Sequence, residues 1–335
     1  MKNGLNDMQN PLIGASLVIA ATFVAFDFDR CLAAETLRPI EVPRDRAFME
    51  SITAGPDGSL YVSSVASGGI ARIEPGATKA EGWIAPAAFG SRSTFGVFAD
   101  AKSNILWVCS NDVSDRGVPG PGSASGSRLK GFDLSTGDGK ISVPLPGESN
   151  LCNDMTVAND GTVYVTNSLK PQILQLKPGA KALEVWVENK QFQPPSGIGL
   201  DGIAIGGDGN IYVNTFSAGE FFRIEVKDGK PGAVTKLETS RPLKLPDGLR
   251  LVSGQSFLMI EGGGSLDLVT VNDDKVAIGT IKDGLNEPTA AAKVGGTAFV
   301  TEGQLPHLFS PKENGPPCLP FQIVPVALGD LGTKG

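Results

Sequence analysis

One pattern of polar and apolar positions recurs along the chain. A polar or acidic residue is followed by a small one, an alternating apolar run, a Gly-containing turn and a second apolar run. It reads Glu50-Ser-Ile-Thr-Ala, Pro56-Asp57-Gly58, then Ser59-Leu60-Tyr61-Val62. It returns from Asn153 through Asn159-Asp160-Gly161 to Thr162-Val163-Tyr164-Val165, and from Asp201 through Gly207-Asp208-Gly209 to Asn210-Ile211-Tyr212-Val213. A fourth copy runs from Asp247 through Ser253-Gly254 to Met259, and weaker copies start at Phe95 and Glu287. Short alternating runs closed by Asp-Gly turns are strand and hairpin signals.

Successive copies are 45, 58, 48, 46 and 40 residues apart. A unit of that length holds four short strands, one propeller blade. Third strands are expected at Ile70–Ile73, Leu129–Leu134, Ile173–Leu176, Phe221–Ile224 and Leu266–Val269. Fourth strands are expected at Ile141–Val143, Leu183–Val187, Ala233–Leu237 and Val276–Ile278. No helical stretch is expected after the N-terminal segment. The reading is all-β: one six-bladed β-propeller with four-stranded blades over residues 35–335. Ring closure borrows a strand from residues 37–48 or from Phe321-Gln-Ile-Val, because an open edge invites aggregation.

Composition agrees. The 335 residues include 43 Gly and 24 Pro, and only 19% are charged, as many short strands and turns require. A net charge of −7 argues against nucleic acid, whose phosphates need a basic face. The expected partner is a small molecule, with no membrane contact beyond an N-terminal anchor. Lys2, the apolar run from Pro11 to Phe26 and the pair Ala33-Ala34 read as an export signal over residues 1–34, with an uncleaved anchor as the alternative. The expected location is the periplasm or the extracellular space.

Cys31, Cys109, Cys152 and Cys318 form no CxxC motif. The repeat puts Cys109 and Cys152 at one end of adjacent blades, as a disulfide or as two buried thiols. Cys318 is left single.

In a propeller the first strands line the central channel, so the repeated position forms a ring: Glu50, Phe95, Asn153, Asp201, Asp247 and Glu287. Four carboxylates gathered in a partly dry channel need protons or a cation. Oxygen ligands suit calcium or magnesium, and the absence of His and Cys disfavours a structural zinc or copper site.

These blade starts resemble the senescence marker protein/regucalcin–gluconolactonase family, which includes luciferin-regenerating enzyme and diisopropyl-fluorophosphatase-like propellers. The resemblance covers about residues 45–310. It implies that Glu50 is a metal ligand, that Asn153 contacts metal or substrate, and that Asp247 of Pro246-Asp247-Gly248 is a ligand and candidate base. Where the family usually has Asn-Gly, this chain has Asp201-Gly202, which keeps an oxygen ligand and adds a charge. The family's arginine-rich substrate contacts have no match among these motifs.

The family implies hydrolysis of a lactone or related ester with one divalent cation, Ca2+ first, then Mg2+, Mn2+ or Zn2+. The expected ligands are Glu50, Asn153, Asp201 and Asp247. Asp247 or Asp201 is the base, and Asn153, Glu287 and Phe95 contact substrate. The alternative is a non-catalytic ligand-binding or interaction propeller in which the cation is structural. A Ser-His-Asp triad would need the lone histidine, His307, which the repeat places in the third strand of blade six as a packed or surface residue. Gly262-Gly263-Gly264 lacks the Lys and helix of a phosphate loop and reads as a turn. The insertion from Asp112 to Ser127 falls at the same end as Glu50 and Asn153, as a lid or as a surface loop.

Overall fold

Three Asp-Gly turns show how locally the strands are set. Asp57, Asp160 and Asp208 each accept the backbone N–H two residues on, at 3.0, 2.9 and 3.1 Å. Gly58, Gly161 and Gly209 follow at φ 81°, 86° and 79°. The carboxylate closes the turn and the glycine supplies a backbone angle that side chains resist.

A computed structural model describes residues 37–329. The expected export signal, its anchor alternative and Cys31 lie outside those residues. Residues 37–329 form six sheets, the blades of a propeller, antiparallel but for one short strand in blade five. Their first strands are Ile52–Ala54, Ser93–Asp100, Cys152–Val157, Leu200–Ile205, Pro246–Ser253 and Pro288–Val294. All the expected third and fourth strands form.

Burial grades outward within a blade. The second strands Leu60–Ser63, Val163–Asn167 and Ile211–Thr215 are buried at every position, whereas the outer strand Lys275–Lys282 is largely exposed. A strand covered on both faces reads as a continuous apolar run, hence the recurring Tyr-Val. Tyr61 meets Trp83 at 5.0 Å between ring centroids, and Tyr164 meets Trp186 at 4.8 Å in the same place two blades on.

Both segments expected to close the ring do so. Phe321–Ala327 is the third strand of blade six, and Ile40–Val42 pairs with it as the fourth. Cys109 and Cys152 are disulfide-bonded, joining blades two and three, and Cys318 is free and exposed.

Three expectations need correction. Blade five carries a fifth strand, Glu238–Thr239, parallel to Lys275–Lys282. Two short α-helices occur among the described residues, α1 (Leu305–Phe309) and α2 (Pro311–Asn314). His307 therefore lies in α1 and not in a strand. Proline in the first turn of each helix presets its backbone, and Gln304 turns the chain at φ 52°.

Candidate active site

The first strands are not regular ladders. Pairing slips between Thr94 and Val97, Cys152 and Met155, Leu200 and Ile203, Pro246 and Leu249, and Pro288 and Ala290. Each bulge sits beside a ring residue and re-aims it. The small residue after the ring position has its own cause. A Cβ on Gly96, Gly202 or Gly248 would strike the next blade's backbone, at Asn153, Asp247 and Thr289 respectively. Glycine there lets neighbouring first strands close on the axis.

Side chains from the second strands fix these backbones across blade boundaries. Thr166 Oγ1 donates to the Asp201 carbonyl at 2.8 Å. Asn214 Nδ2 donates to the Asp247 carbonyl at 2.7 Å, and its Oδ1 accepts from Gly202 N at 2.9 Å.

Glu50, Phe95, Asn153, Asp201, Asp247 and Glu287 all line one cavity of about 530 Å³. Glu50, Asn153, Asp201 and Asp247 are at most 8% exposed and form its floor. Asn153 Nδ2 donates to Asp201 Oδ2 at 3.1 Å. The Asp201 and Asp247 side chains interact, which lowers the Asp201 carboxyl and raises that of Asp247. Burial raises all three carboxyls: Asp201 to about 7, helped by the Asp154 charge, and Glu50 and Asp247 well above the usual range, helped by the charges of Asp201 and Asp154. Three buried oxygens, Glu50 Oε2, Asn153 Oδ1 and Asp201 Oδ1, have no hydrogen-bond partner among the described residues. Glu287 stands apart at the rim, its Oε2 3.5 Å from His307 Nε2, while His307 Nδ1 contacts the Gly315 carbonyl at 3.0 Å.

Beneath the floor lies a pair that the repeat did not single out. Arg250 and Asp154 meet through two nitrogen–oxygen contacts of 2.5 and 3.0 Å, and Arg250 also donates to Ser51 Oγ at 3.2 Å. In strict alternation Arg250 would face away from Asp247. The bulge between Pro246 and Leu249 turns both to the channel. The pair separates the first cavity from a second of about 800 Å³ at the other end of the channel, lined in part by Arg250, Thr53 and Thr156. The two cavities share no lining residue.

Val113 and Arg116 of the 112–127 insertion line the first cavity, as do Leu305, Pro306 and Phe309 of α1. Gly262 lines it too, in a turn and not a phosphate loop.

No protein-family model and no curated protein matches the sequence. Solved structures do match in fold. Luciferin-regenerating enzyme aligns over 87% of this chain and 96% of its own, at TM-score 0.63 and 12% identity. A gluconolactonase from Xanthomonas campestris aligns over 77% and 84%, at 0.58 and 17%. Virginiamycin B lyase from Staphylococcus aureus aligns over 79% and 81%, at 0.58 and 15%. The chain is thus a six-bladed propeller of the kind found in gluconolactonase and luciferin-regenerating enzyme.

Proposed function

We propose that this protein is a divalent-metal-dependent hydrolase of a lactone or related ester. One observation carries the reading: three buried, unpartnered oxygens, Glu50 Oε2, Asn153 Oδ1 and Asp201 Oδ1, at the floor of a cavity. Orphaned buried acceptors are costly, and a hard cation would satisfy all three. Glu50, Asn153, Asp201 and Asp247 would hold it, Ca2+ being the first candidate. Enzymes among the fold's neighbours support the reaction class, a gluconolactonase among them.

Bound there, the cation would polarise the carbonyl and ease deprotonation of a water. Asp247 would accept that proton once a bound cation has displaced its own, since burial and the charges of Asp201 and Glu50 strengthen its hold on protons. Asn153 positions Asp201 through its amide. Asp154 and Arg250 hold the floor from beneath.

Export to an oxidising compartment fits the Cys109–Cys152 disulfide. Among the described residues no helix is long and apolar enough to cross a membrane.

One observation favours the second reading, a non-catalytic binding propeller. Among the described residues no group of three His, Cys, Asp or Glu is arranged to hold a metal ion, so Glu50, Asp201 and Asp247 would have to shift to share one. The test is turnover of a lactone panel by chelator-stripped protein, then with Ca2+, Mg2+, Mn2+ or Zn2+ restored. Activity that returns with a cation supports the hydrolase. No turnover with any of them favours the binding reading.

A further inference from the structure

The walls of the first cavity are unlike its floor. Phe95, Leu151, Ile198, Phe216, Leu305 and Phe309 line the same cavity as the four polar floor residues. The apolar character is built, not incidental. Leu305 and Phe309 of α1 leave blade six and pack against the buried core of blades two and three, which includes Phe95, Val113 and Leu151. The helix thus leans over the cavity and closes an apolar collar. Arg116 is the one cation among the described lining residues.

A sugar lactone entering this collar would bring several hydroxyls past Phe, Leu and Ile side chains that offer no hydrogen bond. Each hydroxyl would lose its water without a partner there. An alkyl or aryl substituent suits the same walls and gains by leaving water.

We propose that the substrate is a lactone or ester bearing an apolar alkyl or aryl substituent, held by the collar formed by Phe95, Leu151 and α1. This rests on the hydrolase reading above. Water adds across the acyl C–O bond: its hydroxyl goes to the acyl carbon, and the leaving ring oxygen takes the proton. A lactone gives a hydroxy acid, and an ester an acid and an alcohol, with no other reactant.

The test is kcat/KM for γ-lactones with substituents from methyl to hexyl, beside gluconolactone, with Ca2+ present. About fourfold gain per added methylene is expected, with gluconolactone below the shortest member. Phe309→Ala should lower the long-chain members more than the short ones. A flat or falling series, gluconolactone at the top, or equal loss for short and long chains in Phe309→Ala overturns the proposal. If nothing is turned over, the hydrolase reading alone fails. Titration calorimetry with the same lactones then decides. Affinity rising with chain length upholds the collar as an apolar site, and constant affinity overturns it.

Discussion

Arg250 of blade five grips Asp154 of blade three across the channel through both terminal nitrogens. The pair lies beneath three carboxyls whose charges resist burial, and the Asp154 side chain is only 5% exposed. Arg250→Met should therefore destabilise the fold by about 3–5 kcal/mol, because it strands a buried carboxylate. Adding Asp154→Asn should recover much of that loss. Denaturant unfolding of the two single variants and the double measures both effects. Additive losses would mean that the contact is not a coupled pair.

Proton and cation should compete for the floor. Burial raises Asp201 from 3.8 to about 7, so the folded protein keeps a proton that the unfolded chain has released. The stabilisation due to that proton is complete below about pH 4 and is lost as pH rises through about 7. Chelator-treated protein should melt at a lower temperature at pH 8 than at pH 5. Ca2+ should restore stability chiefly at pH 8, with proton release on binding. Melting curves with and without Ca2+ decide this, and an effect of equal size at both pH values would contradict it.

Removing the base should slow chemistry more than binding. Asp247→Asn keeps shape and hydrogen-bonding reach but cannot accept the proton, and a loss of about 100- to 10,000-fold in kcat is expected. His307→Ala should stay near wild type, because His307 faces Glu287 at the rim and does not reach the floor. Steady-state kinetics on any accepted lactone would show it, and a dead, well-folded His307→Ala protein would reverse the assignment.

Gly202→Ala should disturb the floor without touching a polar side chain. The added methyl meets the Asp247 carbonyl and stands 2.8 Å from Leu249 Cβ. Overpacking of this kind costs about 1–3 kcal/mol. Calorimetric melting should reveal the loss, together with weaker Ca2+ binding as Asp247 is displaced. Unchanged stability would mean that the blades can spread.

The Cys109–Cys152 bond closes a loop spanning 43 positions. Replacing both cysteines with serine should cost about 4 kcal/mol through the added freedom of the unfolded chain. Chemical denaturation of the double variant is the measure, and stability equal to wild type would assign the bond no such role.

The blades were legible in the sequence because each repeats one local solution: a polar start, an Asp-closed turn, and a Tyr-Val strand covered on both faces. The shared cavity was legible for the same reason, since equal positions in a ring must face one another. The Arg250–Asp154 pair was not, because strict alternation points Arg250 away from Asp247 and only the bulge brings it round. Helix α1 was hidden by its length, because five residues with two leucines and a phenylalanine read equally well as a strand. The disulfide stayed open because repeat alignment sets two cysteines near each other without fixing their distance. The second-strand anchors Thr166 and Asn214 had a visible signal, a polar residue ending a run of Tyr-Val, but nothing in one chain says which backbone each one holds.

The plug between the two cavities also bears on traffic. So long as the Arg250–Asp154 contact holds, the acidic end and the far end stay separate cavities, and a spent molecule would back out through the doorway it came in by. Departure and arrival then contend for one opening, and a product that lingers will delay the next guest.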